Sequence, residues 1–218
     1  MKVTLQVPEN LNEITLGQYQ KFEKLNTEEN QNSSFLLQKM VQIFCNIDLK
    51  DVAKIRYSDV QAIVQDLNAV FDTKPLLKNK MVLNGIKYGF IPNLDDMTLG
   101  EYIDLDTNIV DWQTMHRAMA VMFRPITFEK RDQYQIEKYE GVKDDNVFKD
   151  MPLDIALGAQ SFFLSLGQEL LNNILKFLEL EADQNSHLQQ ILIENGDSIK
   201  VSMDLLRGIL PSLIRLPD

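Results

Sequence analysis

Apolar positions along this chain change period several times, and each change predicts an element. Val3, Leu5 and Val7 alternate with polar residues before Pro8, the period-2 pattern of a short half-buried strand. A helix is predicted from Leu16 to Leu25, then a solvated loop from Asn26 to Ser34, which has no apolar residue to hold it down after Leu25. Phe35, Leu36, Met40, Ile43 and Phe44 recur on a helical period. Asp48 with Asp51, and Ser58 with Gln61, mark two more helix starts, so the first part reads as a small helical bundle ending near Phe71.

The middle of the chain changes to strand patterning. Asn84-Gly85 lies between two β-prone runs and predicts a hairpin over 81–91, because both turn residues must tolerate positive φ. A helix beginning at Asp111 must stop at Arg124, since Pro125 disfavours helical geometry in the residue before it. Residues 127–130 and 133–136 flank Arg131-Asp132 as a second hairpin, with Phe128, Tyr134 and Ile136 alternating with polar neighbours.

Pro152 to Glu181 predicts the longest helix, about 45 Å at 1.5 Å per residue. Its first half (Leu153 to Leu166) is apolar almost all round and should be enclosed. Its second half narrows to the stripe Leu170, Leu171, Ile174, Leu175, Leu178 and should lie on a surface. Gly158, Ser161 and Ser165 share a side that admits another backbone, from within the fold or from a neighbouring subunit. A short helix at 188–194, a break at Asn195-Gly196 and an amphipathic helix carrying Val201, Leu205, Leu206 and Ile209 complete the pattern. The expected class is α+β, predominantly α-helical. It has an N-terminal helical subdomain (1–75) and a hairpin-plus-helix subdomain (76–218), or the two form one continuous domain.

One phrase is written twice. Ile14-Thr15-Leu16-Gly17-Gln18-Tyr19 returns as Met97-Thr98-Leu99-Gly100-Glu101-Tyr102. In each copy a threonine can cap the first free backbone N–H groups, and Gln18 or Glu101 can reach back to it. Ile14 with Tyr19, and Met97 with Tyr102, are spaced to close a hydrophobic staple.

Composition narrows the function without naming it. With 44% hydrophobic and 25% charged residues, 218 residues suffice for a sizeable core. The net charge of -10 argues against direct nucleic-acid binding, which needs clustered Lys and Arg. A single cysteine, Cys45, and a start without a signal-like apolar run fit synthesis in a reducing cytoplasm. The longest uncharged apolar run, Ile155 to Gln168, is too short for a membrane span.

Chemistry-bearing constellations are sparse. Asp104-Leu105-Asp106-Thr107-Asn108 opens like a calcium loop, but Ile109 and Met115 stand where a glycine and a bidentate glutamate are required. His116, His187 and Cys45 cannot assemble a zinc motif. Met115, Met119 and Met122 beside His116 read as adaptable core methionines rather than a cofactor box. Neither a nucleophile elbow nor a glycine-rich phosphate loop is present. The acids Asp95, Asp96, Glu101, Asp104, Asp106 and Asp111 allow a carboxylate-based hydrolase, but they also gather where helix starts favour negative charge. The expectation is therefore a non-enzyme with no cofactor and no metal. Its candidate interaction surface is Phe22, Leu105 and Trp112 with the apolar tail residues Leu213 and Ile214.

Three phrases, at 90–105 (beginning Phe90-Ile91-Pro92-Asn93), 119–126 (Met119-Ala120-Val121-Met122-Phe123-Arg124-Pro125-Ile126) and 151–159 (beginning Met151-Pro152-Leu153-Asp154), carry a resemblance. Over roughly residues 80 to 180 the chain resembles a loosely described family of tailed-bacteriophage proteins, from crAss-like and myovirus-type phages. The resemblance implies a virion-associated component of head, connector or tail, or a tail or baseplate assembly chaperone not retained in the particle. Its partners would be capsid, portal, tail or tape-measure proteins. It would be found in the host cytoplasm during synthesis, and in the virion if structural. The alternative of another class is the carboxylate-based cell-wall hydrolase.

Overall fold

The computed structural model describes residues 5–184 apart from residues 32, 132, 143 and 144. It is a mixed α+β fold, predominantly helical. Val3, His187, the two helices expected after residue 187 and the tail residues Leu213 and Ile214 lie outside the described residues. So do the side chains of the Leu170 to Leu178 stripe.

Four helices open the chain: α1 (Leu16–Glu23), α2 (Ser34–Phe44), α3 (Leu49–Val52) and α4 (Tyr57–Phe71). Ser33 caps α2 by accepting the Leu36 N–H, which explains why the polar loop before it ends there. The apolar faces meet around Leu16, Val41, Val52 and Leu67, none more than 1% exposed. Rings interlock beside them, with Phe44 lying 5.2 Å from Phe22 and 5.0 Å from Phe71. Two details differ from the pattern. Residues 5–8 carry no strand and have no strand partner among the described residues. The α4 cap is Arg56 rather than Ser58, and the Arg56 side chain makes no capping hydrogen bond.

A four-stranded antiparallel meander follows: β1 (Lys80–Leu83), β2 (Ile86–Phe90), β3 (Phe123–Lys130) and β4 (Gln133–Ile136). Asn84 (φ 50°) and Gly85 (φ 80°) make the first turn, as the hairpin signature requires. Arg131 (φ 57°) begins the second. Met81, Leu83, Tyr88, Phe90 and Phe123 point to one face and are buried. A register shift between Ile126 and Phe128 sets Phe128 opposite Gln135, on the other face from Tyr134 and Ile136, where it is 53% exposed, and brings Glu129 opposite Tyr134.

Between β2 and β3 the chain inserts α5 (Leu99–Ile109) and α6 (Met115–Met122), which pack on one another. The helix expected from Asp111 to Arg124 is shorter than the pattern indicates. Residues 111–114 form a turn, and the helix yields at Phe123 to β3, whose pairing with β2 satisfies the backbone instead. Met115, Met119 and Met122 are fully buried, so they are core methionines.

α7 (Leu153–Gln184) closes the described chain. Its start is pinned to the start of α1: Thr15 bridges Pro152, Leu16 donates to the Met151 carbonyl and Leu153 donates to the Ile14 carbonyl, both at 2.8 Å. Gly158 receives the backbone of Leu76, whose carbonyl oxygen would lie 2.5 Å from any β-carbon placed there. The small-residue side is thus filled at Gly158 from within the fold. Compactness divides the chain into Met1–Ala159 and Gln160–Asp218, so residue 75, where the sequence pattern allowed either a boundary or a continuous domain, falls inside the first unit. α1 and β1 both touch the 3₁₀ turn Asn146–Asp150, so residues before and after 75 share one unit. In the second unit residues 161–164 are half-buried and Leu166 is 38% exposed, so full burial does not extend through the half of the helix expected to be enclosed. Apolar composition marks what a helix would bury but not whether a partner surface is there.

Candidate functional site

Both copies of the repeated phrase form capping boxes, and their single difference in the capping pair has a structural cause. Thr15 accepts the Gln18 N–H (3.2 Å), while Gln18 Oε1 accepts the Thr15 N–H (2.9 Å). The second end of the amide is also used: Gln18 Nε2 donates to the Ile43 carbonyl at 2.8 Å, satisfying an otherwise free acceptor in the last turn of α2. In the second copy Glu101 Oε2 accepts the Thr98 N–H at 2.7 Å, and Oε1 accepts from Arg124 Nη2 at 2.6 Å. A donor is required in the first place and a second acceptor in the other. Hence Gln18 and Glu101.

The tyrosines part company. Tyr19 is buried, 4.6 Å edge-on from Trp112, and Ile14 is sealed beneath the same helix start. Tyr102 is 58% exposed, so the second staple does not enclose its ring. Around it α5 and its C-cap present Leu99, Ile103 and Val110, which are 73%, 52% and 58% exposed. At 100° per residue these four, with Asp106, fall within one third of the helix circumference. The opposite side of α5 is held by buried Glu101, Leu105 and Asn108. The result is an apolar stripe with a carboxylate in its middle, on a helix fixed from behind.

The fixing is ionic as well as apolar. The Glu101 and Arg124 side chains are only 5% and 13% exposed, and the guanidinium lies 5.7 Å over the Tyr139 ring. Tyr139 donates its hydroxyl hydrogen to Asp104 on the next turn of α5. Burial, then the Asp104 carboxylate, pushes the Tyr139 phenol well above its ordinary range. Burial alone would raise the Glu101 carboxyl, but the Thr98 hydroxyl and N–H and the Arg124 charge outweigh it and hold it below the usual range.

Of the residues expected at an interaction surface, Phe22 and Leu105 fill the interior instead, at 2% and 4% exposed. Helical periodicity placed them on apolar faces, and the bundle and α6 cover those faces. Trp112 is half-buried and hydrogen-bonds through its backbone carbonyl to Gln20 Nε2 at 2.7 Å. That same amide lies 3.0 Å from His116 Nδ1, and His116 Nε2 is 3.7 Å from Asp145. Burial, with Lys149 and Arg117 nearby, lowers the His116 pKa against the opposing pull of Asp145. His116 thus ties α1 to α6. Asp104 is engaged by Tyr139, whereas Asp106 stands exposed on the stripe.

Two concavities lie near these elements among the described residues. One, about 420 Å³, lies beside Arg124, Tyr139 and Phe148. The other is a groove of about 720 Å³ between α1 and α2, with Leu25, Ile43 and Ile47 in its wall and Lys21, Lys24 and Lys39 around it. Lys39 bonds Gln42 Oε1 at 2.8 Å, while Lys21 and Lys24 make no ion pair among the described residues. Sequence reasoning missed this groove and the Arg124–Tyr139 support. The signal for the groove, two lysines three apart at the end of α1 and its C-cap, was present, but its partner Lys39 comes from another helix. No protein-family model matches the chain, and no curated protein or solved structure matches it.

Proposed function

We propose that the protein acts by docking to other proteins without turnover, as a virion-associated component of a tailed-phage particle in the head, connector or tail. The observation that carries the docking reading is the α5 stripe. Leu99, Tyr102, Ile103 and Val110 stand exposed on one helix face while the opposite face is fixed by Glu101 and Leu105. Apolar side chains gathered on one rigid helix face are the usual form of a helix that seats in a partner's groove. The phage setting rests on the phrases at 90–105, 119–126 and 151–159. The first of these contains most of the stripe.

The test is mass spectrometry of purified particles from cells carrying wild type or the double substitution Tyr102→Asp, Ile103→Asp. Wild type is expected at fixed copy number. The variant should fold, because both side chains are exposed, and should be lost from particles. Retention of the variant at wild-type level overturns the docking role of α5. Absence of wild type from particles, with co-purification of a tape-measure or baseplate protein, replaces the structural role with that of an assembly chaperone.

A further inference from the structure

Two of the surfaces that combine apolar groups with unpaired charge carry opposite sign. On α5 and the turn before it, Asp95 and Asp106 are exposed and make no ion pair among the described residues. In the α1–α2 groove, Lys21 and Lys24 are equally free of ion pairs, in a chain whose net charge is -10. Each surface also carries apolar groups: Tyr102, Ile103 and Val110 on the helix, and Leu25, Ile43 and Ile47 in the groove.

We infer that the α1–α2 groove of one copy receives the α5 stripe of a second copy, apolar against apolar with Asp95 and Asp106 facing Lys21 and Lys24. This rests on the reading of α5 as a docking surface and names its occupant. Two features make the groove a receiving surface. Its wall is rigid, because Gln18 of the α1 capping box is bonded to the Ile43 carbonyl of α2. The turn at its end is also set, with Asn46 at φ 50° and the Ile47 N–H bonded to the Gln42 carbonyl at 3.2 Å, a Schellman closure of α2. A helix about 10 Å across with its side chains suits a groove between two such helices. The groove and the stripe are different patches of one chain, so the contact is heterologous. Repeated, it builds a ring if the rotation closes and a filament if it does not. In a chain of net charge -10, like-charged copies repel, and complementary local charge at this pair of surfaces offsets that repulsion and fixes the register.

A charge-swap experiment by sedimentation velocity tests the pairing. Wild type is expected to associate with rising concentration. The groove variant Lys21→Glu, Lys24→Glu and the helix variant Asp95→Lys, Asp106→Lys should each associate about tenfold or more weakly, since like charges then face one another. Mixed in equal amounts, the two variants should associate again, because the reversed groove of one fits the reversed helix of the other. Circular dichroism confirms that each is folded, and Lys21→Gln, Lys24→Gln replaces the groove variant should the reversal unfold it. A wild type that stays monomeric, variants that associate as wild type does, or a mixture that fails to associate each overturns self-docking. Where wild type is monomeric yet Tyr102→Asp, Ile103→Asp is lost from particles, self-docking falls and the α5 docking reading stands, with a different protein as occupant.

Discussion

Placing alanine at each glycine of the repeated phrase separates local from tertiary effects, because Gly17 and Gly100 occupy the same helical position in near-identical sequence. Replacing glycine by alanine inside a helix favours the helix by up to about 1 kcal/mol. That contribution is common to both sites and cancels in the difference. What remains is space. A β-carbon at Gly17 would lie 2.9 Å from the Lys149 carbonyl oxygen and 3.1 Å from Lys149 Cβ. The first of these is backbone, and the segment carrying it is held on the far side by the paired 2.8 Å bonds between residues 14–16 and 151–153. It cannot retreat without breaking them. At Gly100 the nearest atom is Tyr139 Cε1 at 3.9 Å, an ordinary contact. Overpacking of this kind costs about 1–3 kcal/mol, so Gly17→Ala should be less stable than Gly100→Ala by that amount. Gly100→Ala itself should equal or exceed wild type. Urea denaturation monitored by circular dichroism measures both, and in thermal melts the gap corresponds to roughly 2–4 °C per kcal/mol for a domain of this size. Equal stabilities within about 0.5 kcal/mol would refute the close approach of α1 to the turn before α7.

Other expected outcomes follow from the buried polar groups. Glu101→Gln keeps an acceptor for Thr98 but leaves Arg124 without its counter-charge. It should therefore lose up to about 3 kcal/mol at neutral pH, the upper part of the 3–5 kcal/mol for a broken buried pair being offset by the amide's remaining bond. Because the folded-state pKa of Glu101 is lowered, its contribution is complete above the ordinary glutamate range and disappears as pH falls through the lowered value. Urea titrations of wild type and variant should therefore converge in acid, and a gap independent of pH would contradict the pairing. His116, whose pKa is also lowered, binds its proton less readily folded than unfolded. Wild-type stability should decline as pH falls below about 6.5, and His116→Gln should flatten that slope even where it lowers the plateau. Burial pushes the Cys45 thiol up to about 11, so a thiol reagent at pH 8 should label it only on unfolding; rapid labelling of the folded protein would be inconsistent with its 7% exposure.

The amino-acid sequence alone determined the features whose energetics are local. Asn84-Gly85 demanded positive φ at two successive residues, which only a tight hairpin uses. Thr15 with Gln18, and Thr98 with Glu101, carried every atom of their capping boxes within four residues. The methionine spacing of α6 marked an apolar face, and that face is core. Where the outcome depended on what lies opposite, the sequence was silent. Phe22 and Leu105 carry the same apolar signal as Tyr102 and Ile103, yet the first pair is buried and the second exposed, because burial depends on a covering surface that the chain supplies from elsewhere. The helix expected to run to Arg124 ends at Met122, since β2 offers the backbone at Phe123 a strand partner that local propensity does not register. Gln18 and Glu101 look interchangeable in a capping box. Only the fold set a carbonyl of α2 beside one and the guanidinium of Arg124 beside the other, and so decided which must donate and which must accept.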